Sequence, residues 1–314
     1  MKFQTIEELD DKLRDFRILF AYNSNKIEND SITYHDTREI FEKGRVISFT
    51  GELKTLFEIE NQKQCYNFLK EKIIIKEKID LGLIKAIHYE LTKGTYDEYR
   101  YNINGERPGE FKKHDYVTGI NEVGSRPENV EQDLMDLLQE INSYNGKDHI
   151  TVAAYLHAAF ENIHPFADGN GRVGRTLLNY YLMIHDIDPI IIYEEDKKMY
   201  YNALEKFDQE DSELTPLIDF ILYEQKKTWS KKENRQRNQS LNKCLDQKAL
   251  KNYENTIDTL VEKNLISIEK GELIKNKYID EIISYIQESG HSLSEDDDLW
   301  MEAIDHVLPL SKKR

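Results

Sequence analysis

His164, Asp168, Arg172 and Arg175 fall within twelve consecutive residues, His164-Pro165-Phe166-Ala167-Asp168-Gly169-Asn170-Gly171-Arg172-Val173-Gly174-Arg175, which bring together a proton carrier, a carboxylate and two guanidinium groups. Pro165 disfavours helix at His164, and Gly169 and Gly171 permit the positive φ angles of a tight loop whose backbone N–H groups can form an anion nest. Apolar residues resume at Val173, Leu177, Leu178 and Tyr181. That pattern predicts a helix beginning near Asn170, with the positive end of its dipole directed at the loop. The chemistry is that of a phosphate site. Arg172 and Arg175 lie three residues apart on the first turn, so both can reach the same polyphosphate. Asp168 is a hard oxygen ligand suited to Mg²⁺. His164, with a near-neutral pKa, suits a general base.

Competing chemistries fit this stretch less well. Gly169 to Thr176 nearly spells a P-loop, but Arg175 stands where the lysine is required, and a helical pattern precedes it where a strand is required. Read from Asp168 as an EF-hand, position 5 is Arg172 and position 12 is Asn179, neither of them a carboxylate. His157 and His164 have the wrong spacing for a zinc-protease helix, so His157 is expected to be a core histidine. No Gly-x-Ser-x-Gly elbow occurs. Two bland roles stay open: Asp168 as the cap of the following helix, and Tyr200 and Tyr201 as ordinary core aromatics.

Helical periodicity supplies the elements that must position these groups. Ile6, Leu9, Leu13, Phe16 and Leu19-Phe20 predict a first helix ending near Tyr22, with Ser24 as a plausible N-cap of the joint that follows. Helices are expected over 36–43, 55–75 and 79–91. Gly94, Gly105, Pro108 and Gly109 then break the pattern, and Glu110 to Thr118 has the length and partial alternation of a short hairpin. Further helices are expected over 127–144, 150–163 and 173–185. The loop carrying the charged residues is then a corner between two apolar helices, a rigid place to hold a site. Helices near 196–208 and 214–229 complete an all-α domain. Ser230 to Arg237 turns strongly polar and reads as a charged helix surface or a linker, with the linker favoured, after which helical patterns over 246–288 and 294–307 predict a small C-terminal appendage.

The chain has 43 basic and 59 acidic residues, a net charge of −16. That balance opposes nonspecific binding to nucleic acid or anionic membrane and favours a small-molecule or protein partner. No run approaches the ~18 apolar residues of a membrane span and the first residues lack the apolar core of a signal peptide, so a cytoplasmic protein is expected. Cys65 and Cys244 stand outside any metal-ligand spacing and are expected to be reduced structural thiols.

The segment from His164 to Arg175 resembles the signature of Fic-domain proteins, His-x-Phe-x-(Asp/Glu)-Gly-Asn-Gly-Arg-x-x-Arg, without a departure at any fixed position. The resemblance implies an all-α Fic fold, a helical bundle with a short β-hairpin flap. It divides the chain into N-terminal helices (1–35), a Fic domain (36–229) and the helical appendage (230–314). It also implies a protein adenylyltransferase, an enzyme that moves AMP from ATP to a Ser, Thr or Tyr hydroxyl of a target protein, self-modification included. His164 would be the base. Gly169, Asn170, Gly171 and Arg172 would hold the α and β phosphates, with Asn170 steadying an α-phosphate oxygen; Arg175 would grip the γ phosphate and Asp168 would carry Mg²⁺. Fic proteins place nucleotide contacts where Tyr200 and Tyr201 stand, which implies adenine contact. The flap, at Val117, Thr118 and Gly119, would clamp the target strand. Ser24-Asn25-Lys26-Ile27-Glu28-Asn29 resembles the family's inhibitory motif (Ser/Thr)-x-x-x-Glu-(Gly/Asn), which implies that Glu28 pairs with Arg175. The same pocket leaves two alternatives: a hydrolase that removes AMP from a modified protein, and a nucleotide-binding sensor.

Overall fold

The computed structural model describes residues 2–46, 49, 51–116, 124–208, 213–288 and 296–308, with backbone alone over 230–252 and at 277, 280, 281, 284, 287 and 288. The chain divides into two compact units, Met1–Ser230 and Lys231–Arg314.

Unit 1 is built from α1 (Ile6–Lys12), α2 (Arg14–Lys26), α3 (Tyr34–Lys43), α4 (Leu53–Ile74), α5 (Leu81–Thr92), α6 (Val130–Ser143), α7 (His149–Ile163), α8 (Asn170–Ile184), α9 (Lys197–Asp208) and the first turns of α10 (Thr215–Glu262). Side-chain oxygens start several of these helices by accepting otherwise orphaned backbone N–H groups: Thr33 from Asp36, Asp80 from Leu83 and Asp148 from Thr151. The two helices flanking the charged loop, α7 and α8, pack on each other, and α8 also packs on α5, α4 and α2. From Asn170 to Ile184 only Gly171 escapes full burial. A helix buried on nearly every side, its polar first turns included, forms the centre of the domain. Phe160, Phe166, Val173, Leu177, Leu178 and Tyr180 lie in one continuous core with Leu9, Leu13 and Phe16 of the N-terminal helices.

Unit 2 comprises the end of α10, α11 (Ile268–Leu273), a π-helical turn (Ile274–Tyr278), α12 (Ile279–Glu288) and α13 (Asp297–Val307). It has its own core around Ile257, Leu260, Ile282, Ile286, Trp300 and Ile304.

Regular structure among the described residues is helical throughout, in line with the all-α expectation, and several local expectations are corrected. The first helix breaks at Leu13, and its second part runs on to Lys26. Ser24 is therefore inside a helix and buried, and does not cap the next one. No strand occurs among the described residues from Gly109 to Gly124; Val117, Thr118 and Gly119 lie outside them. The stretch 230–237 has helical backbone rather than that of a linker. It contains no Gly or Pro, and its Lys, Glu, Arg and Gln residues are good helix formers. Cys65 is buried, with its thiol pushed up by desolvation, as a core thiol should be. No helix among the described residues is long and apolar enough to cross a membrane.

Candidate active site

The loop between α7 and α8 is held from within and from the side. His164 ends α7 in the left-handed conformation, φ 51°, with its N–H donated to the Phe160 carbonyl at 3.0 Å. A non-glycine residue there is uncommon, and the turn it makes points the chain into the loop. Asn170 closes the loop: its Oδ1 accepts from Phe166 N–H at 2.9 Å and its Nδ2 donates to the Phe166 carbonyl at 2.7 Å. From α5, His88 stacks on Phe166, centroids 3.7 Å apart and rings 4° from parallel. Its Nδ1 accepts from Gly109 N–H at 2.8 Å, which makes Nε2 the protonated nitrogen, and Nε2 donates to the Asp168 carbonyl at 3.0 Å. Gly169 starts α8 at φ 84°, and a β-carbon there would meet Thr92 at 2.7 Å. Only glycine satisfies both conditions.

These constraints expose the first turn of α8. The Val173 N–H is bonded back to the Gly169 carbonyl at 3.0 Å. The N–H groups before it have no intrahelical acceptor and carry the positive end of the helix dipole. Both arginines are buried against carboxylates. Arg172 reaches Glu58 of α4 at 3.4 Å and Asp168 at 3.7 Å. Arg175 donates to Ser24 Oγ at 3.1 Å, to the Ser24 carbonyl at 2.8 Å and to Glu28 Oε1 at 2.7 Å. Two buried donors, Arg172 Nε and Arg175 Nη1, lack an acceptor among the described residues. An anion in the cleft could satisfy them.

The Glu28 carboxylate stands over the nest itself: a β-carbon on Gly171 would lie 2.5 Å from Glu28 Oε1 and 2.9 Å from Arg175 Nη1. Burial works against the Glu28 charge, but Arg175 outweighs it and holds this carboxyl below its usual range. The backbone carrying Glu28 is clamped to α4, with Asn25 Nδ2 donating to the Glu58 carbonyl at 3.2 Å and Asn29 Nδ2 to Glu58 Oε2 at 2.8 Å.

A cleft of about 240 Å³ opens above this floor, lined by His164, Asp168, Arg172, Glu28, Arg100 and Tyr116 among others. Burial, and then the nearby Lys112 ammonium, push His164 down to about 4, so its imidazole is neutral. This replaces the near-neutral value expected from sequence. The segments either side of 117–123 are pinned around the same residue: Lys112 N–H donates to the Pro165 carbonyl at 2.9 Å and Ser125 N–H to the Ile163 carbonyl at 2.9 Å. Burial would raise Asp168, but Arg172, Arg100 and Lys54 together keep it below its usual range. Its oxygens face Arg100 at 3.5 Å and Arg172 at 3.7 Å. No group of three or more His, Cys, Asp or Glu among the described residues could hold a metal unaided.

The model of the Fic/DOC family matches residues 78–182, which span α5, the loop and nearly all of α8. Residues 78–182 are thus similar to the Fic/DOC family. The chain is 28% identical over 216 residues to protein adenylyltransferase fic-1 of Caenorhabditis briggsae, covering 67% of this chain and 40% of that protein. It is 28% identical over 207 residues to protein adenylyltransferase Fic of Drosophila persimilis, covering 64% and 37%. The chain thus spans about 40% or less of these curated relatives. A Fic-domain-containing signaling protein from Bacteroides thetaiotaomicron has the same fold, TM-score 0.60 at 24% identity, over 71% of this chain and 87% of that one. So does Fic-1 (residues 134–508) of C. elegans, TM-score 0.61 at 22% identity, over 74% and 71%.

Within unit 1, the fold brings Glu28, Ser24, His164, Asp168, Gly169, Gly171, Arg172 and Arg175 to one place. It treats three other residues differently from the sequence expectations. Asn170 lines the cleft and also shapes the loop, its amide oxygen and one amide N–H being bonded to Phe166. Tyr200 is buried with its hydroxyl bonded to His157 Nε2 at 2.8 Å, a core tyrosine on a core histidine. Tyr201 is half exposed, and neither tyrosine lines the cleft. Asp168 is not a side-chain cap; Gly169 holds the cap position. Sequence reading missed His88, Glu58, Arg100 and Tyr116. His88 had a faint signal, a lone histidine beside Ile84, Ile87 and Leu91. Glu58 had one too, a carboxylate next to the buried stripe through Ile59.

Proposed function

We propose that the chain is a protein adenylyltransferase held at low resting activity by Glu28. The observation carrying this reading is a neutral imidazole, His164, in the same cleft as a helix N-terminal anion nest over which a carboxylate stands. The name carried by the relatives supports the reaction class. In the reaction, the nest and Arg172 hold the α and β phosphates of ATP, and Arg175 takes the γ phosphate. A Ser, Thr or Tyr hydroxyl of the target attacks the α phosphorus in line. The new O–P bond forms as the bond from that phosphorus to the α–β bridging oxygen breaks; pyrophosphate departs and the hydroxyl proton goes to His164. The polyphosphate raises the basicity of His164 from its low resting value. Asp168 would hold Mg²⁺, which takes one or two carboxylates beside substrate phosphates; the long Arg100 and Arg172 pairs leave its oxygens open to exchange. The metal supplies charge neutralisation on the phosphates.

Glu28 is the brake. Its oxygen sits on Arg175 and above Gly171, where a phosphate oxygen of a productively bound nucleotide belongs. The Glu28 side chain is 37% exposed toward the cleft, which also favours a second reading, a hydrolase in which Glu28 aligns a water on AMP-modified protein. The test is incubation of wild type and Glu28→Gly with cell lysate and α-labelled ATP. Protein labelling with release of pyrophosphate, stronger for Glu28→Gly, supports the transferase. AMP release from pre-modified protein, lost with Glu28, supports the hydrolase. ATP binding without either reaction leaves a nucleotide sensor.

A further inference from the structure

Arg100 lies outside the His164–Arg175 segment and touches no phosphate in the reading above, yet its side chain lines the cleft. It is carried on a π-helical turn, Tyr99–Ile103, closed by Asn104 N–H donating to the Tyr99 carbonyl at 3.0 Å. Single π-helical turns gather at functional sites because the extra residue redirects one side chain. Here Tyr99, Tyr101 and Ile103 are exposed, and Arg100 is the residue of the turn that reaches the loop. Asp97 anchors its backbone, accepting the Arg100 N–H at 2.7 Å. The side-chain pairs are long by comparison, 3.2 Å to Asp97 and 3.5 Å to Asp168, against about 2.7–2.9 Å for a tight charge-assisted bond. A fixed backbone thus carries a loosely committed guanidinium that can exchange partners by rotamer change alone.

The charges of the cleft give that guanidinium a purpose. Arg172 is shared between Glu58 and Asp168, and Arg175 is matched by Glu28. When Glu28 leaves, Arg175 is released, but Arg172 keeps its buried Glu58. A nucleoside triphosphate brings several negative charges to the nest. We propose that Arg100 is a third phosphate-binding arginine of this cleft, which leaves Asp168 to grip the polyphosphate of the nucleotide donor. This rests on the nucleotidyl-transfer reading and adds a binding residue that the twelve-residue segment does not contain. Because the contact is to phosphate, it favours triphosphate over the bare nucleoside.

The test is calorimetric titration of the full chain carrying Glu28→Gly, alone and combined with Arg100→Ala or Arg100→Lys, with ATP and with adenosine in the presence of Mg²⁺. Unchanged melting temperatures establish that the partly exposed Arg100 is dispensable for folding. Arg100→Ala should weaken ATP by about tenfold or more, the scale of one lost charged hydrogen bond. It should leave adenosine unchanged, and Arg100→Lys should recover part of the loss. ATP binding to Glu28→Gly and to the Arg100→Ala double variant equally tightly would overturn this proposal alone, as would an equal loss for adenosine. Failure of ATP to bind the Glu28→Gly parent would overturn the transferase reading and this proposal with it.

Discussion

His164 is neutral because it is buried and because Lys112 stands near it, and a neutral imidazole is the form a general base requires. His164→Ala should lower AMP transfer by about 10²–10⁴-fold while leaving ATP affinity within about twofold, since no phosphate contact is removed. Loss of ATP binding in that variant would mean that His164 shapes the nest. The pH dependence follows from the same burial. The depressed pKa, about 4 against an ordinary 6.5, means that the base form persists well below neutrality, and bound polyphosphate moves the value upward without abolishing the burial penalty. Transfer under saturating ATP should therefore fall off on the acid side below pH 6.5. NMR titration of the nucleotide-free protein should find this imidazole near 4; an ordinary titration at 6.5 would contradict the electrostatic account.

At the scale of elements, α2 and α8 are joined through Arg175, which donates three hydrogen bonds to one stretch of chain: to the Ser24 side chain, the Ser24 carbonyl and the Glu28 carboxylate. On the proposed reading, the carboxylate contact is the one that would compete with phosphate. Glu28→Gly should raise self-modification and target labelling by about tenfold or more, the scale of a partly buried ion pair worth a few kcal/mol. Ser24→Ala should raise it by less, because the Ser24 carbonyl and Glu28 still hold Arg175. Arg175→Ala should be inactive with or without Glu28, since the proposed phosphate ligand itself is gone. Labelling assays on the four variants separate these outcomes, and equal activity of wild type and Glu28→Gly would remove the brake from the account.

Across the whole molecule, the domain carries buried neutral histidines that make it acid-sensitive. His88 and His157 are both fully buried, and desolvation pushes each down to about 3. The folded pKa is below the unfolded value of about 6.5, so between the two the unfolded chain binds more protons. Their contribution is intact above pH 6.5 and is lost as pH falls toward 3, at about 1.4 kcal/mol per pH unit for each histidine. The two tryptophans make this measurable unit by unit: Trp229 packs on the unit 1 core and Trp300 lies in the unit 2 core. In Trp300→Phe, urea midpoints followed by Trp229 fluorescence should decline steadily from pH 6.5 to 4.5. His157→Gln should flatten the decline. A midpoint constant over that range would mean that these histidines take up protons without unfolding the domain.

The local chemistry of His164 to Arg175 was legible in sequence because every constraint on it is local. Proline and glycine set the backbone, and the helix that follows has its apolar period written directly after the loop. The all-α class and most helix positions were legible for the same reason, since periodicity of 3.6 needs no knowledge of partners. What surrounds the loop was decided by packing. Glu58 and Arg172 are separated by more than a hundred residues and meet only because α4 lies against α8. His88 is an ordinary histidine of α5 until Phe166 stacks on it and its two nitrogens are spent on Gly109 and Asp168. Asn170 and Tyr200 have side chains able to reach a nucleotide, and packing assigns one to Phe166 and the other to His157. Ser24 has the chemistry of a helix cap, but burial against Arg175 keeps it inside α2. Residue type and spacing determined which groups could handle phosphate and a proton. Only the tertiary structure decided which of them face the cleft, because that depends on which polar groups find partners once water is excluded.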